Sequence, residues 1–172
     1  MRKIMWMCVI AAGATLVQVG AASAQTSVIM QTTLTGGEET PNLVLSGAVA
    51  TAEVAVDPTN QELAVTMRVF NLPTGSTASH IHIGPKGVSG PVVIDFPIGT
   101  GRTGEFTLNF RVHDGAAFHA RPEIGINTFA DALQAIAGGN AYVNIHTSTF
   151  PGGEIRGQLS ILDPSTPVAP IR

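Results

Sequence analysis

Between residues 62 and 70 the side chains alternate: Leu63, Val65, Met67 and Val69 fall on one side, Ala64, Thr66, Arg68 and Phe70 on the other. A period of two belongs to a β-strand with one buried face, since a helix would scatter the same residues around its circumference. Similar short runs of Val, Ile, Thr and Phe recur along the chain and predict about eight strands, at 28–34, 47–56, 62–71, 78–83, 92–96, 104–112, 141–147 and 154–162. Turn-forming groups separate them, among them Asp57-Pro58-Thr59-Asn60, Leu72-Pro73-Thr74-Gly75, Gly84-Pro85-Lys86-Gly87 and Phe150-Pro151-Gly152-Gly153. Strands at this spacing predict an all-β, Greek-key β-sandwich of antiparallel strands. Sandwiches host many unrelated activities, so the fold names no function.

One segment departs from period two. Thr128 can cap a helix, Asp131 stands three residues on as in a capping box, and Phe129, Ala132, Leu133 and Ile136 follow a helical spacing that ends at Gly138-Gly139. The spacing predicts one short helix inside an insertion at 122–139. The tail at 163–172, with three prolines and no periodicity, reads as a disordered end.

The N-terminus reads as a targeting segment. Arg2 and Lys3 precede an apolar stretch from Ile4 to Val19, and Ala22-Ser23-Ala24 supplies small residues before Gln25, the pattern of a secretory signal peptide over 1–24. A membrane anchor needs roughly 20 apolar residues, and Gln18 interrupts this run. Cleavage removes Cys8, the one cysteine, together with Arg2 and Lys3, so nine basic residues become seven against twelve acidic ones. The expected exported protein, periplasmic or extracellular, therefore has no disulfides and no thiolate ligands, and a metal would need His, carboxylate or backbone oxygen. Its acidic balance excludes binding to nucleic acid by phosphate neutralisation and makes an anionic membrane a poor target.

Two segments exceed generic strand composition. The first is Ser79-His80-Ile81-His82-Ile83-Gly84-Pro85-Lys86-Gly87; the second is Tyr142-Val143-Asn144-Ile145-His146-Thr147, followed by Gly153-Glu154-Ile155-Arg156-Gly157-Gln158-Leu159. With the opening Leu34-Thr35-Gly36-Gly37-Glu38-Glu39-Thr40-Pro41, they resemble the CHRD domain, named for the repeats of chordin and found in many exported bacterial proteins. The resemblance extends over 29–162 and implies a Greek-key β-sandwich, in agreement with the strand pattern. It implies no transferable activity, and the 122–139 insertion departs from the family's usual pattern.

Strand parity places His80 and His82 on one face, with Ile81 and Ile83 on the other, and likewise Tyr142, Asn144 and His146 opposite Val143 and Ile145. If the aliphatic rows fill the core, all three histidines lie on the outer, solvent side. A hairpin over 149–153 would set His146 opposite Arg156 and Asn144 opposite Gln158, with the Arg156 cation keeping His146 unprotonated. Glu154 is then either the partner of Arg156 or an additional oxygen ligand.

Two readings of these residues stand side by side. His-x-His plus a third imidazole from another strand can hold copper or zinc, and the run from His80 to Gly84 is distantly similar to the copper strand of Cu,Zn superoxide dismutase, although that family's disulfide cysteines and zinc-ligand loop are missing. Alternatively, the three histidines join Asn144, Thr147, Glu154, Arg156 and Gln158 in a structural polar network that fixes sheet register. His113 and His119 read as residues of a solvated loop beside Asp114. The segment from Gly84 to Pro91 reads as a tight turn between strands, since it opens no helix, and Glu38-Glu39 is a poor catalytic dyad because neighbours on a strand face opposite ways. Neither a Gly-x-Ser-x-Gly nor a His-Glu-x-x-His motif occurs. The functional expectation is a binding module without a visible catalytic site, directed at an extracytoplasmic protein, an envelope component or a metal, with self-assembly into a surface matrix as a further possibility.

Overall fold

The computed structural model describes residues 27–113 and 117–162; the expected signal segment at 1–24, Asp114 and the tail at 163–172 lie outside the described residues. The chain forms β1 (Val28–Thr35), β2 (Val49–Asp57), β3 (Glu62–Leu72), β4 (Ser76–Ile83), β5 (Val92–Asp95), β6 (Gly104–His113), helix α1 (Phe129–Ala137), β7 (Ala141–Thr147), β8 (Ile155–Gln158) and β9 (Ser160–Ile161). The expected last strand is divided in two. At buried Leu159 the chain leaves β7 and continues beside β1, which β8 already meets at Thr35↔Arg156, through Met30↔Ile161 and Gln31↔Ser160. Among the described residues, no helix is long and apolar enough to cross a membrane.

The architecture is all-β and antiparallel, with strand order β5-β4-β7-β8-β1-β2-β3-β6 and β9 attached to β1. This order requires a curled sheet. β3 and β4 are five positions apart, roughly 24 Å in a flat sheet at about 4.8 Å per step, yet the connection at 73–75 reaches at most about 14 Å. The sheet therefore folds over itself into a sandwich-like structure whose two layers are hydrogen-bonded to each other through β8 and β1. Its two edge strands approach across the fold, where the Phe96 and Phe110 rings meet edge to face at 4.8 Å.

The alternation in β3 is realised as expected, with Leu63, Val65, Met67 and Val69 buried. They pack with Met30, Leu34 and Val54 of the same layer and with Ile81, Val143, Ile145 and Ile155 of the other. Helix α1 closes one end, burying Phe129, Ala132, Leu133 and Ile136 against the sheet. Its start is the predicted capping box: the Asp131 N–H donates to Thr128 Oγ1, and the Thr128 N–H donates to Asp131 Oδ2. Each aliphatic side chain so buried contributes about 1.5–3 kcal/mol, and this apolar core holds two β-strand layers without a disulfide.

Candidate metal centre

The strand ladder brings the three histidines to one face. His80 lies opposite Asn144 on β7 and Asp95 on β5, His82 opposite Tyr142, and Ala78 opposite His146, so His146 is the diagonal neighbour of His80. The β7–β8 register differs from the expected one by two residues: Asn144 faces Arg156 and Tyr142 faces Gln158. An even shift keeps every side chain on its face, so the outer set survives with its partners changed. The three ligand atoms lie within 4.8 Å of one another, and His80 Nδ1 is 3.1 Å from His146 Nε2. Two imidazole nitrogens on one tetrahedral zinc ion stand about 3.3 Å apart for bonds of about 2.0–2.1 Å, so one pair is already at ligand spacing and His82 needs only a small approach.

The far side of each ring is also occupied. His82 Nδ1 meets the Gly90 carbonyl at 2.8 Å, and His146 Nδ1 meets the Pro151 carbonyl at 2.9 Å. A carbonyl only accepts, so Nδ1 carries the proton in both rings and the lone pair is on Nε2, facing the cluster. His80 is turned the other way, with its Nδ1–H in the cluster donating to His146 Nε2 and its Nε2 3.6 Å from Asp95 Oδ1. Anchoring the outer nitrogen on a carbonyl, as in His82 and His146, is how ligating histidines are oriented in metal sites. His82 Nε2 lies 3.1 Å from Asn144 Oδ1; with a lone pair on that nitrogen, the Asn144 amide serves it by presenting its N–H instead.

All three rings are biased to the neutral, ligating form. Burial, then the nearby His146 and His82, bring His80 down to about 4, and burial lowers His82 and His146 as well. The expected role of Arg156 is thus corrected: burial keeps His146 neutral, and the guanidinium acts weakly, on His82. The expected solvent-side position needs correction too. The face points outward but is covered, leaving His82 8% exposed and His80 and His146 half-buried.

The cover is built from the second motif and the turn after β4. The Tyr142 ring stacks on His82 at 4.6 Å, and the Arg156 guanidinium lies over the other side of Tyr142 at 3.5 Å. Arg156 donates to the Val88 carbonyl at 2.8 Å and to Thr40 Oγ1, while the Gly90 N–H donates to the Tyr142 hydroxyl at 3.0 Å. The segment from Gly84 to Pro91 is therefore a fastened cover over His82 rather than only a turn. Gly90 permits this, because a Cβ there would collide with the Ile83 carbonyl.

The remaining network residues have separate tasks. Glu154 is fully buried and accepts from Ser46 Oγ and Thr147 Oγ1, each at 2.6 Å. Among the described residues no ion pair joins it to Arg156 and it stands outside the histidine cluster, so neither expected role holds. Gln158 donates to the Gly84 and Gly139 carbonyls, tying the cover to the helix end.

Three residues of consequence escaped the sequence pattern. Glu39 is buried, and that burial, opposed by Arg156, raises its carboxyl to about 7; Gly153 leaves room for it, since a Cβ would stand 2.6 Å from Glu39 Oε1. Asp95 and His119 extend the outer face beyond His80. His113 is exposed beside Glu62, as expected of a solvated residue, but it ends strand β6 rather than lying in a loop, and His119 is held 2.7 Å from Asp95 Oδ2. Strand parity gives the face of Asp95, but its pairing with His80 depends on a register that includes a bulge between Ile81 and His82.

A family model described as the CHRD domain matches residues 30–159, most of the chain and both histidine segments. Among curated proteins and solved structures, none matches the chain.

Proposed function

The chain belongs to the CHRD domain family, and we propose that this member binds a transition metal ion, copper or zinc, outside the cytoplasm through His80 Nδ1, His82 Nε2 and His146 Nε2. The observation that carries this reading is the orientation of the three rings: each turns one nitrogen into a common cluster and the other toward an oxygen. Copper and zinc both accept imidazole, a metal would replace the His80 Nδ1–H···His146 Nε2 hydrogen bond with release of that proton, and three such ligands leave a coordination position for water or a further group. Export rests on the signal segment, and its check is whether the extracytoplasmic protein begins at Gln25. Protein purified without a histidine tag is expected to retain about one equivalent of metal and to melt higher with it than without. Metal-free protein whose melting is unchanged by excess copper and zinc contradicts the reading.

A second reading, a module that docks on an extracytoplasmic protein or envelope component, has its own support. Leu45 is 92% exposed and Leu43 64% in the loop that leads into β2, whose first residue Val49 pairs with partly exposed Phe70. Apolar groups displayed in this way fit an apolar partner surface. Loss of partner capture in Leu45→Glu, with metal binding intact, supports docking there; unchanged capture removes it.

A further inference from the structure

His80 has two ring nitrogens, and each faces a different set of donors. Nδ1 meets His146 Nε2 at 3.1 Å inside the cluster. Nε2 lies 3.6 Å from Asp95 Oδ1, whose other oxygen is 2.7 Å from His119 Nε2. The two groups thus share one imidazole between them. The outer one is set on the sheet: His80 pairs with Asp95 across β4 and β5, and the segment around Phe118 continues the sheet beyond β5 through the Ile94↔Phe118 bridge. The Asp95 N–H donates to the Ala117 carbonyl and the His119 N–H to the Val93 carbonyl, both at 2.9 Å. Main-chain bonds on both sides of β5 therefore fix the positions from which Asp95 and His119 extend, the rigid backing that a metal site needs.

We propose that a second divalent transition metal ion binds between His80 Nε2, the Asp95 carboxylate and His119 Nε2, so that His80 bridges two ions. This rests on the reading of the inner histidines as the first site. Two imidazoles and a carboxylate form a donor set suited to zinc, with a position left for water. Asp95 and His119 are about half exposed, which gives the outer ion a route from solvent, whereas His82 of the inner cluster is 8% exposed. When both His80 nitrogens are metal-bound, the ring has given up its remaining N–H proton, which passes to solvent, and the ring becomes an imidazolate whose charge offsets part of the second cation's.

Copper(II) added to untagged, metal-stripped protein tests the proposal, with bound ions counted after gel filtration and the electron paramagnetic resonance intensity integrated. The wild-type protein is expected to hold two ions whose unpaired electrons couple through the His80 imidazolate, so the signal at low temperature falls well below that of two independent copper ions. His119→Ala and Asp95→Asn, both at exposed positions, are expected to hold one ion and to give the full signal of one. A single bound ion in the wild type and in His119→Ala alike overturns the second site and leaves the first standing. Two ions with the intensity of two independent centres overturn the bridge. No bound ion in any of these proteins contradicts the first reading and this one together.

Discussion

The curled sheet has two outer faces with different fates. On β2 the burial alternates residue by residue, and outward-facing Thr51 and Glu53 stand bare beside Thr66 and Arg68 of β3. On β7 nearly every residue is buried, the outward-facing Tyr142 and Asn144 included. Both strands obey period two, so strand chemistry alone does not separate them. The difference comes from the Arg156–Tyr142–His82 stack and the Gly84–Pro91 segment fastened over it. A histidine on the bare face would titrate near its ordinary value in water, whereas under the cover the imidazoles stay neutral and turn one nitrogen each toward one point. Enclosure, rather than the presence of histidine, distinguishes the candidate site.

The contrast can be broken at several strengths. The largest effect is expected from His82→Ala, which removes the most enclosed ligand: affinity for copper or zinc falls by more than the ten- to hundredfold typical of losing an outer partner of a ligand, as read by calorimetric titration. Next is Arg156→Ala. It deletes charge-assisted hydrogen bonds worth roughly 1.5–3 kcal/mol and a stacked cation worth about 2 kcal/mol when desolvated; chemical denaturation should show a loss of about 2–4 kcal/mol, with metal affinity falling as the cover loosens.

The effect of pH sharpens the same contrast, and its sign differs between two groups. His80 is lowered from 6.5 to about 4 in the folded protein, so on acidification the unfolded chain takes up its proton first. The stability associated with neutral His80 is complete above pH 6.5 and is lost as pH falls toward 4. Glu39 is raised from 4.5 to about 7, and its ionisation weakens the fold as pH rises through 7. Glu39→Gln is therefore expected to raise the melting temperature at pH 8 and to change it little at pH 5; equal shifts at both values would mean that the carboxyl ionises in the fold as freely as in water. The smallest effect belongs to the bare face, where Thr51→Ala should alter stability by no more than about 0.5 kcal/mol and leave metal binding unchanged.

Local chemistry made much of this legible in the sequence. Alternation at Leu63 to Val69 located a buried strand face, the Thr128 and Asp131 pair marked the helix start, and parity alone put His80 and His82 together with His146 on one side of the sheet. Properties that depend on distant pairing were not legible. The two-residue shift of Arg156 against β7 depends on how the turn at 148–154 is closed, which the Thr147 and Glu154 hydrogen bonds help to decide. The cover over His82 joins residues 40, 88, 90, 142 and 156, which no short window contains. Asp95 and His119 acquire meaning only once β5 is seated against β4 and the segment around Phe118 against β5.

The most direct test is calorimetric titration of the untagged, metal-stripped protein with zinc and copper, beside His80→Ala/His82→Ala confirmed as folded by circular dichroism. The account expects saturable binding by the wild type that disappears in the double variant. No saturable heat with either ion, or binding of equal affinity in both proteins, would contradict it and return the three histidines to a structural network.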